Sequence, residues 1–492
     1  MGYFCPPVME KYDKYEIVVG LEVHAQLLTK SKLFCGDSIA YGAEPNTHVS
    51  PITLGHPGTL PKMNKTAIEF AIKMGLACGC EIEKKNYFAR KNYFYPDLPK
   101  GYQVSQHTTP ICKGGTVKIK TAEGGRQIRL NRIHMEEDAG KSLHDIDEIN
   151  TCIDYNRAGT PLIEIVTEPD IRNSDEAFAY LTEVRKLVRY LEICDGNMEE
   201  GSLRCDANIS VRKKGELQLG TKVEVKNLNS IRNVKRAIDA EAKRLIDILE
   251  SGGNIIQQTR SFDANTGTTF SIRDKEDADD YRYFAEPDLT PFQLQDEYID
   301  RIRRSIPVLQ EERIKKYVTE MNLSAYDAAV LTEEKETADF FETIIQYTTN
   351  YKAAANWMLG PVQSWLNENN KEAGEFPVPA KKIAAIIKLI DDGKLSFTTA
   401  SSKLFSVLLQ YPEKDPEQIA TEENLMQQSD ASALGPVVDE VLARFSDKVS
   451  EYKKGKKGLL SLFVGEVMKQ TKGKADPKLT NELLLDRLKN KK

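Results

Sequence analysis

Carboxylates and imidazoles recur along this chain at spacings that set them side by side. In EIVVGLEVHAQL, Glu22, His24 and Gln26 take one face of a strand, while Ile17, Val19, Leu21 and Val23 take the other. The run RIHMEEDAGKS supplies His134, Glu136, Glu137 and Asp138. Glu164 interrupts the apolar run LIEIV, where a carboxylate without a partner is expensive to bury. In SLRCDANISVR, Arg204, Asp206, Asn208 and Arg212 alternate with Leu203, Cys205, Ala207, Ile209 and Val211. In TKVEVKNL, Lys222, Glu224 and Lys226 oppose Val223 and Val225. Several carboxylates with an imidazole suit Mg²⁺, which takes oxygen ligands and keeps waters and phosphates in its shell. Lysines and arginines suit the phosphates themselves. That points to ATP and a phosphoryl-transfer or ligase site of an unusual type, because the chain has no GxxxxGK[ST] loop, no GxGxxG ahead of a helix and no kinase motif set. A solvated strand face is the competing reading of Glu22 and His24 taken alone.

These groups need a sheet to position them. The period-two segments predict strands with one face on a core, and together a curved sheet with a polar concave face. Between them, Ser174 is placed to cap a helix through DEAFAYLTEVRKLVRYLEI, with Phe178, Leu181, Leu187, Val188 and Leu191 on one side. Ser230 caps another, running to Gly252-Gly253. Gly114-Gly115 and Gly124-Gly125 mark hairpins. After Glu286-Pro287-Asp288-Leu289-Thr290-Pro291 the pattern turns helical, with breaks near Pro307, Gly360-Pro361 and Pro377 to Pro379. A second linker, Tyr411 to Pro416, precedes the last helical segment. The reading is an α+β mixed domain over 1–295 with a mainly antiparallel sheet, an all-α domain over 296–410 and a helical tail over 411–492.

With 492 residues the chain is too long for one hydrophobic core. No stretch reaches the roughly 18 apolar residues of a membrane helix, and the first residues have no secretory apolar core, so a cytoplasmic protein is expected. The eight cysteines form no disulfide framework, and Cys78-Gly79-Cys80 reads as small side chains at a helix end. Net charge is −6, but from Glu451 onward twelve Lys and Arg stand against five Asp and Glu. That tail therefore carries +7 and the preceding residues −13. A local basic patch is what binding to RNA requires.

The run Asp154-Tyr155-Asn156-Arg157-Ala158-Gly159-Thr160-Pro161-Leu162-Ile163-Glu164-Ile165-Val166 resembles the signature of the B-subunit family of aspartyl/glutamyl-tRNA amidotransferases. GLEVHAQL, GAEPNT, ARKNYFYPDLPKGYQ, HMEEDAGKS, EEGSLRCDANIS, VEVKNLNS, DYRYFAEPDL and GEVMKQTKGKADP resemble it too, so the likeness covers nearly the whole chain.

The resemblance implies a cradle-like N-terminal domain followed by helical and YqeY-like tail domains. It implies ATP-dependent phosphorylation of the side-chain carboxylate of Glu-tRNA(Gln), Asp-tRNA(Asn) or both, then amidation by ammonia. It assigns Glu22, His24, Glu137 and Glu164 to the metal and, with Lys226, to catalysis, and Arg204, Asp206, Asn208 and Lys226 to phosphate and substrate. Ammonia would come from the amidase, the A subunit, through a channel whose mouth holds Lys91, Tyr93, Tyr95, Asp97 and Lys100. A small C subunit would complete a heterotrimer. No GGSSGG-like amidase stretch occurs in this chain. Lys453, Lys454, Lys456, Lys457, Lys472 and Lys474 are the expected tRNA contacts. A non-catalytic tRNA-binding scaffold is the alternative, and the carboxylate cluster argues against it. A free-standing ligase acting on a small amino acid is a second. Some members carry four cysteines where this chain has Cys35, Asp37, Ser50 and Thr53, so no structural zinc is expected. Ala285 stands where proline is common.

Overall fold

The structure is a computed structural model that describes residues 11–122, 124–274, 281–427, 431–471 and 475–490. The chain divides into two compact units, Met1–Val308 and Leu309–Lys492.

The first unit is built on one large sheet. Its principal strands are β1 (Tyr15–Gln26), β2 (Ala89–Asn92), β3 (Tyr102–Ser105), β4 (Thr116–Thr121), β5 (Gly124–Glu137), β6 (Pro161–Thr167), β7 (Leu203–Lys213), β8 (Val223–Leu228), β9 (Gln258–Asp263) and β10 (Thr268–Asp274). The spatial order is β10-β9-β8-β7-β1-β6-β5-β3-β2, closing on Phe284–Ala285. All these neighbours are antiparallel except β8 and β9. The long strand β1 sits centrally, paired with β6 on one side and β7 on the other. Val19, Leu21 and Val23 of β1, and Leu203, Cys205, Ala207, Ile209 and Val211 of β7, are buried as the alternation predicts. The α+β reading with a mainly antiparallel sheet and a helical C-terminal region is borne out.

Helices α1 (Lys65–Ala77), α2 (Ser174–Tyr190) and α3 (Ile231–Glu250) pack on the strands. Ser230 caps α3 as expected, its Oγ accepting from Asn233 N at 3.1 Å. Helix α2 differs. Its cap is Asn173, whose Oδ1 accepts from Glu176 N at 2.8 Å, and Ser174 is already helical. The buried stripe of α2 runs through Ala177, Tyr180, Leu181, Val184 and Val188, leaving Phe178 42% exposed. Tyr180 and Tyr190, rather than Phe178, supply the buried aromatic surface.

The second unit is helical. One core gathers residues from Tyr317 to Ala420, including Trp357, Phe341 and Ile387, and another runs from Leu434 to Leu488. Gly360-Pro361 does not break its helix. Tyr351–Trp357 and Gln363–Asn369 are continuous through a π turn, Met358–Val362. The wider turn accommodates a proline ring that an α-helix interior rejects.

Candidate functional site

Strand pairing assembles the site from residues far apart in sequence. His134 on β5 lies opposite Glu164 on β6, Glu164 opposite His24 on β1, and His24 opposite Arg204 on β7. Adjacent to this row, Glu22 lies opposite Asp206, and Asn208 opposite Glu224. Because side chains alternate along each strand, these residues share one face. Of these, Glu22, His24, Glu164, Arg204, Asp206 and Glu224 line a polar cavity of about 410 Å³ with Lys91, Tyr93, Gln103, Glu136, Asp138, Lys226 and Tyr281.

Two groups of donor atoms are close enough to hold a metal ion. His24, Glu136 and Glu164 offer atoms all within 4.8 Å of one another, and so do Glu22, Asp206 and Glu224. His24 Nε2 lies 3.4 Å from Glu164 Oε2 and 3.6 Å from Glu136 Oε1. Burial opposes a charged His24, yet Glu164, then Glu136 and Asp206, raise it to about 9. Burial likewise opposes ionisation of Glu164, but His134 and His24 hold it well below the usual carboxylate range. In the second group, burial first and then Glu164, Glu224 and Asp206 raise Glu22. Lys226 already supplies a cation there. Its Nζ is 2.5 Å from Asp206 Oδ2 and 3.3 Å from Glu224 Oε1, and those carboxylates outweigh burial to keep it charged.

Around these groups sit the residues that orient them. Asn208 Nδ2 donates to Glu22 Oε1 at 2.9 Å. Arg204 forks onto Asp138, with Nη1 to Oδ2 at 2.8 Å and Nη2 to Oδ1 at 3.0 Å, and Gln26 Nε2 donates to the same carboxylate at 2.8 Å. Burial raises Asp138, but Arg204 and Arg157 override it and hold the carboxyl low.

Of the residues expected at the metal, the structure brings together Glu22, His24 and Glu164 but not Glu137. Strand parity is the reason. His134 and Glu136 project to the polar face of β5, so the next residue, Glu137, projects to the other. Its carboxylate accepts from Lys100 Nζ at 2.5 Å and Val104 N at 2.9 Å, in a separate cavity of about 220 Å³ also lined by Lys32, Cys35 and Tyr102. Glu136, Glu224 and His134 are the cluster members missing from the expected set. Their parity with Glu22 and His24 is the signal that identifies them.

The expected channel residues separate in the same way. Lys91 and Tyr93 line the carboxylate cavity and Lys100 the other one. The Lys91 Nζ stands 4.8 Å from the Tyr281 ring centre. Burial opposes its charge, yet Tyr283, Glu136 and Glu164 raise it. Tyr95 is 56% exposed and meets Tyr93 edge-on. Burial raises the Asp97 carboxyl, and the Asp97 carbonyl accepts from Gly140 N at 2.8 Å. Gln103, Asp138 and Ala139 line both cavities and so form the wall they share.

In the tail, Lys453, Lys454, Lys456 and Lys457 are exposed around Gly455. Lys456 pairs with Glu451 at 3.0 Å, and Lys457 lies over the Tyr452 ring at 4.4 Å. Lys472 and Lys474 lie outside the described residues. Cys35, Asp37, Ser50 and Thr53 do converge. Thr53 Oγ1 and Ser50 N donate to Asp37 Oδ2 at 2.5 and 2.8 Å, and Cys35 Sγ is 3.3 Å from Thr53 Oγ1.

A buried imidazole–carboxylate cluster on a large antiparallel sheet, ahead of a helical unit, is the arrangement of one class of catalytic domain. The GatB/GatE catalytic domain matches residues 17–300, and the GatB domain matches residues 339–488. The chain belongs to the GatB/GatE family. It is 51% identical over 475 residues to the B subunit of the aspartyl/glutamyl-tRNA(Asn/Gln) amidotransferase of Pelodictyon phaeoclathratiforme, covering 96% of this chain and 99% of that protein. It is 48% identical over 476 residues to the corresponding B subunit of Syntrophotalea carbinolica, covering 97% and 99%. The resemblance read from the Asp154–Val166 run is borne out.

Proposed function

We propose that this chain is the B subunit of a tRNA-dependent amidotransferase, a glutamine-dependent amido-ligase. It activates the side-chain carboxylate of Glu-tRNA(Gln), Asp-tRNA(Asn) or both. The observation that carries this reading is the buried cluster of His24, Glu136 and Glu164 beside Lys226, in a chain alike over its full length to proteins so named.

A carboxylate is a poor acyl donor because it has no good leaving group. Taking the γ-phosphoryl of ATP makes it an acyl phosphate, and ammonia then displaces phosphate. The protein's task is positioning and charge neutralisation. His24, Glu136 and Glu164 are donors suited to a divalent cation, with Mg²⁺ the one expected for ATP chemistry. Such an ion supplies charge stabilisation for the transferred phosphoryl group. Lys226, held by Asp206 and Glu224, presents a fixed positive charge to phosphate oxygens. Arg204, clamped by Asp138, does the same from the neighbouring strand, and Asn208 orients Glu22. Lys91 and Tyr93 face the acyl phosphate. Lys100 and Glu137 lie across the shared wall, on the route by which ammonia from the amidase partner arrives.

Residues 1–295 carry the chemistry, 296–410 form a helical domain, and 411–492 grip tRNA phosphates through Lys453, Lys454, Lys456, Lys457, Lys472 and Lys474. The amidase (A) and the small C subunit complete the heterotrimer in the cytoplasm. Among the described residues no helix is long and apolar enough to cross a membrane. One thiol, Cys35, raised by burial, does not make a structural zinc set.

The test uses the chain purified with its A and C partners. Glu164→Gln should lower Glu-tRNA-dependent ATP cleavage, and amide formation from supplied ammonia, by on the order of 10²-fold or more. An unchanged rate refutes the assignment. Strong ATP cleavage with free glutamate in place of Glu-tRNA refutes the tRNA substrate.

A further inference from the structure

Two aromatic segments far apart in sequence meet at one end of the carboxylate cavity. Tyr93-Phe94-Tyr95 follows β2, and Tyr281-Arg282-Tyr283 leads into the short strand Phe284–Ala285, which pairs with β2. Tyr281 meets Tyr93 and Tyr283 edge-on, each with ring centres 6.1 Å apart, and Tyr93 meets Tyr95 in the same way at 6.5 Å. Tyr283 is already stacked, with its ring centre 4.0 Å from that of His107 and the planes nearly parallel. Tyr281 has no face-to-face ring partner among the described residues. Tyr93 and Tyr281 line the cavity. Outside it the aromatic surface continues, with Phe94 83% exposed, Tyr95 56% and Phe284 49%. Single exposed rings are ordinary, but apolar side chains gathered at the mouth of a cavity mark an interaction site. The backbone is strained to build this one. Arg282 has φ +44°, in the left-handed region that side chains other than glycine rarely adopt. Asn92 Nδ2 secures it, donating to the Arg282 carbonyl at 2.8 Å and to the Tyr281 carbonyl at 3.3 Å. Two cations stand among the rings. Lys91 Nζ is 4.8 Å from the Tyr281 ring centre, and Arg282 is exposed with no ion pair among the described residues.

We infer that this aromatic rim is the subsite for the single-stranded 3′ end of the substrate tRNA, with the terminal adenine stacked on Tyr281 and the preceding nucleotides on Phe94, Tyr95 and Phe284. This rests on the reading that the cavity activates a carboxylate borne on tRNA. That carboxylate is joined to the terminal ribose by a short run of single bonds. With the carboxylate at the cluster, the base lies in the cavity or on its rim. Proteins hold single-stranded nucleic acid by stacking bases on aromatic faces and by setting cations against the backbone. Tyr281 supplies the face, and Lys91 and Arg282 supply the charge. The competing ligand with the same base is ATP. Lys226, the cation assigned to phosphate oxygens, is on β8, and five strands separate it from β2. One base also needs only one ring, whereas this rim continues over several rings outside the cavity, as an extended strand requires.

The test compares Tyr281→Leu, which removes the ring, with Tyr281→Phe, which keeps it, in the complex with the A and C partners. In ammonia-supported amidation, Tyr281→Leu should raise KM for Glu-tRNA(Gln) about fivefold or more. Its kcat and its KM for ATP should stay within about twofold, and Tyr281→Phe should keep the unaltered KM. Stacking is read without turnover, using deacylated tRNA(Gln) with 2-aminopurine in place of the terminal adenine. Its fluorescence should be quenched on binding the unaltered complex or Tyr281→Phe, and not on binding Tyr281→Leu. Absence of quenching by the unaltered complex overturns the inference without needing any variant. A rise in KM for ATP in place of KM for tRNA gives the ring to ATP and overturns it. A loss confined to glutamine-supported amidation gives the ring to the ammonia route and overturns it as well. So does an unchanged KM for the tRNA, or quenching that survives Tyr281→Leu. An unaltered complex whose ATP cleavage ignores Glu-tRNA overturns the proposed function and the subsite together, whereas the other results overturn the subsite alone.

Discussion

Glu164 is costly in its surroundings. It lies in an apolar strand between Ile163 and Ile165, both fully buried, and the imidazoles at 3.3 and 3.4 Å offset its desolvation. The adjacent pair Glu136 and Glu137 separates the two halves of the chemistry. Glu136→Gln should impair Glu-tRNA-dependent ATP cleavage. Glu137→Gln should spare both that step and ammonia-supported amidation, while glutamine-supported amidation falls. Steady-state assays of the complex with each nitrogen source check this, and equal losses for both variants in every assay would contradict it. The cost of burying Glu164 is legible in the sequence, as is the shared face of Glu22 and His24. The exclusion of Glu137 is hidden when HMEED is taken as a block, since adjacent carboxylates look equivalent there. Applying period two from His134 selects Glu136 instead.

At the scale of elements, the cluster depends on four strand pairings keeping one register, since a one-residue slip would turn a strand's donors to the opposite face. The turn into β6 helps to set that register. Gly159 has φ +84°, its N–H donates to the Asp138 carbonyl at 2.8 Å, and its own carbonyl accepts from Leu33 N at 2.8 Å. Gly159→Ala forces a side chain into the left-handed region and should cost about 1–2 kcal/mol, measured by denaturant unfolding. A change within error would show that the turn can relax. The strands of the sheet are legible because their alternation is strong. The cap of α2 is not, because Asn173 and Ser174 are adjacent and both cap well. The π turn at Gly360-Pro361 is not legible either, since local sequence marks a break and only packing of Trp357, Met358 and Val362 in the core reveals continuity.

At the scale of the whole molecule, charge and compact units matter. In the second unit, burial raises Asp339, but hydrogen bonds from Lys335 and Arg313 outweigh it and hold its carboxyl below the ordinary value of 3.8. The stability this contributes is present above that value and lost as pH falls through the lower folded-state value. With Asp339 partly exposed, Asp339→Asn should cost about 0.5–1 kcal/mol near neutral pH and flatten the acid limb of stability against pH. An unchanged limb would contradict this. Neutralising Lys453, Lys454, Lys456 and Lys457 to Gln should weaken tRNA binding and flatten its dependence on the logarithm of salt concentration by roughly 0.7–0.9 for each phosphate no longer neutralised. An unchanged salt slope would remove the tail from the tRNA interface. The basic tail is legible from composition alone, and the division at Val308 and Leu309 falls beside Pro307, a break the sequence shows. The central claim is that this chain makes the substrate carboxylate an acyl phosphate, and it is tested most directly by oxygen transfer. With the side-chain carboxylate of Glu-tRNA(Gln) labelled with ¹⁸O, the complete complex should release phosphate carrying one labelled oxygen for each amide formed. Unlabelled phosphate, with amide still accumulating, would contradict it.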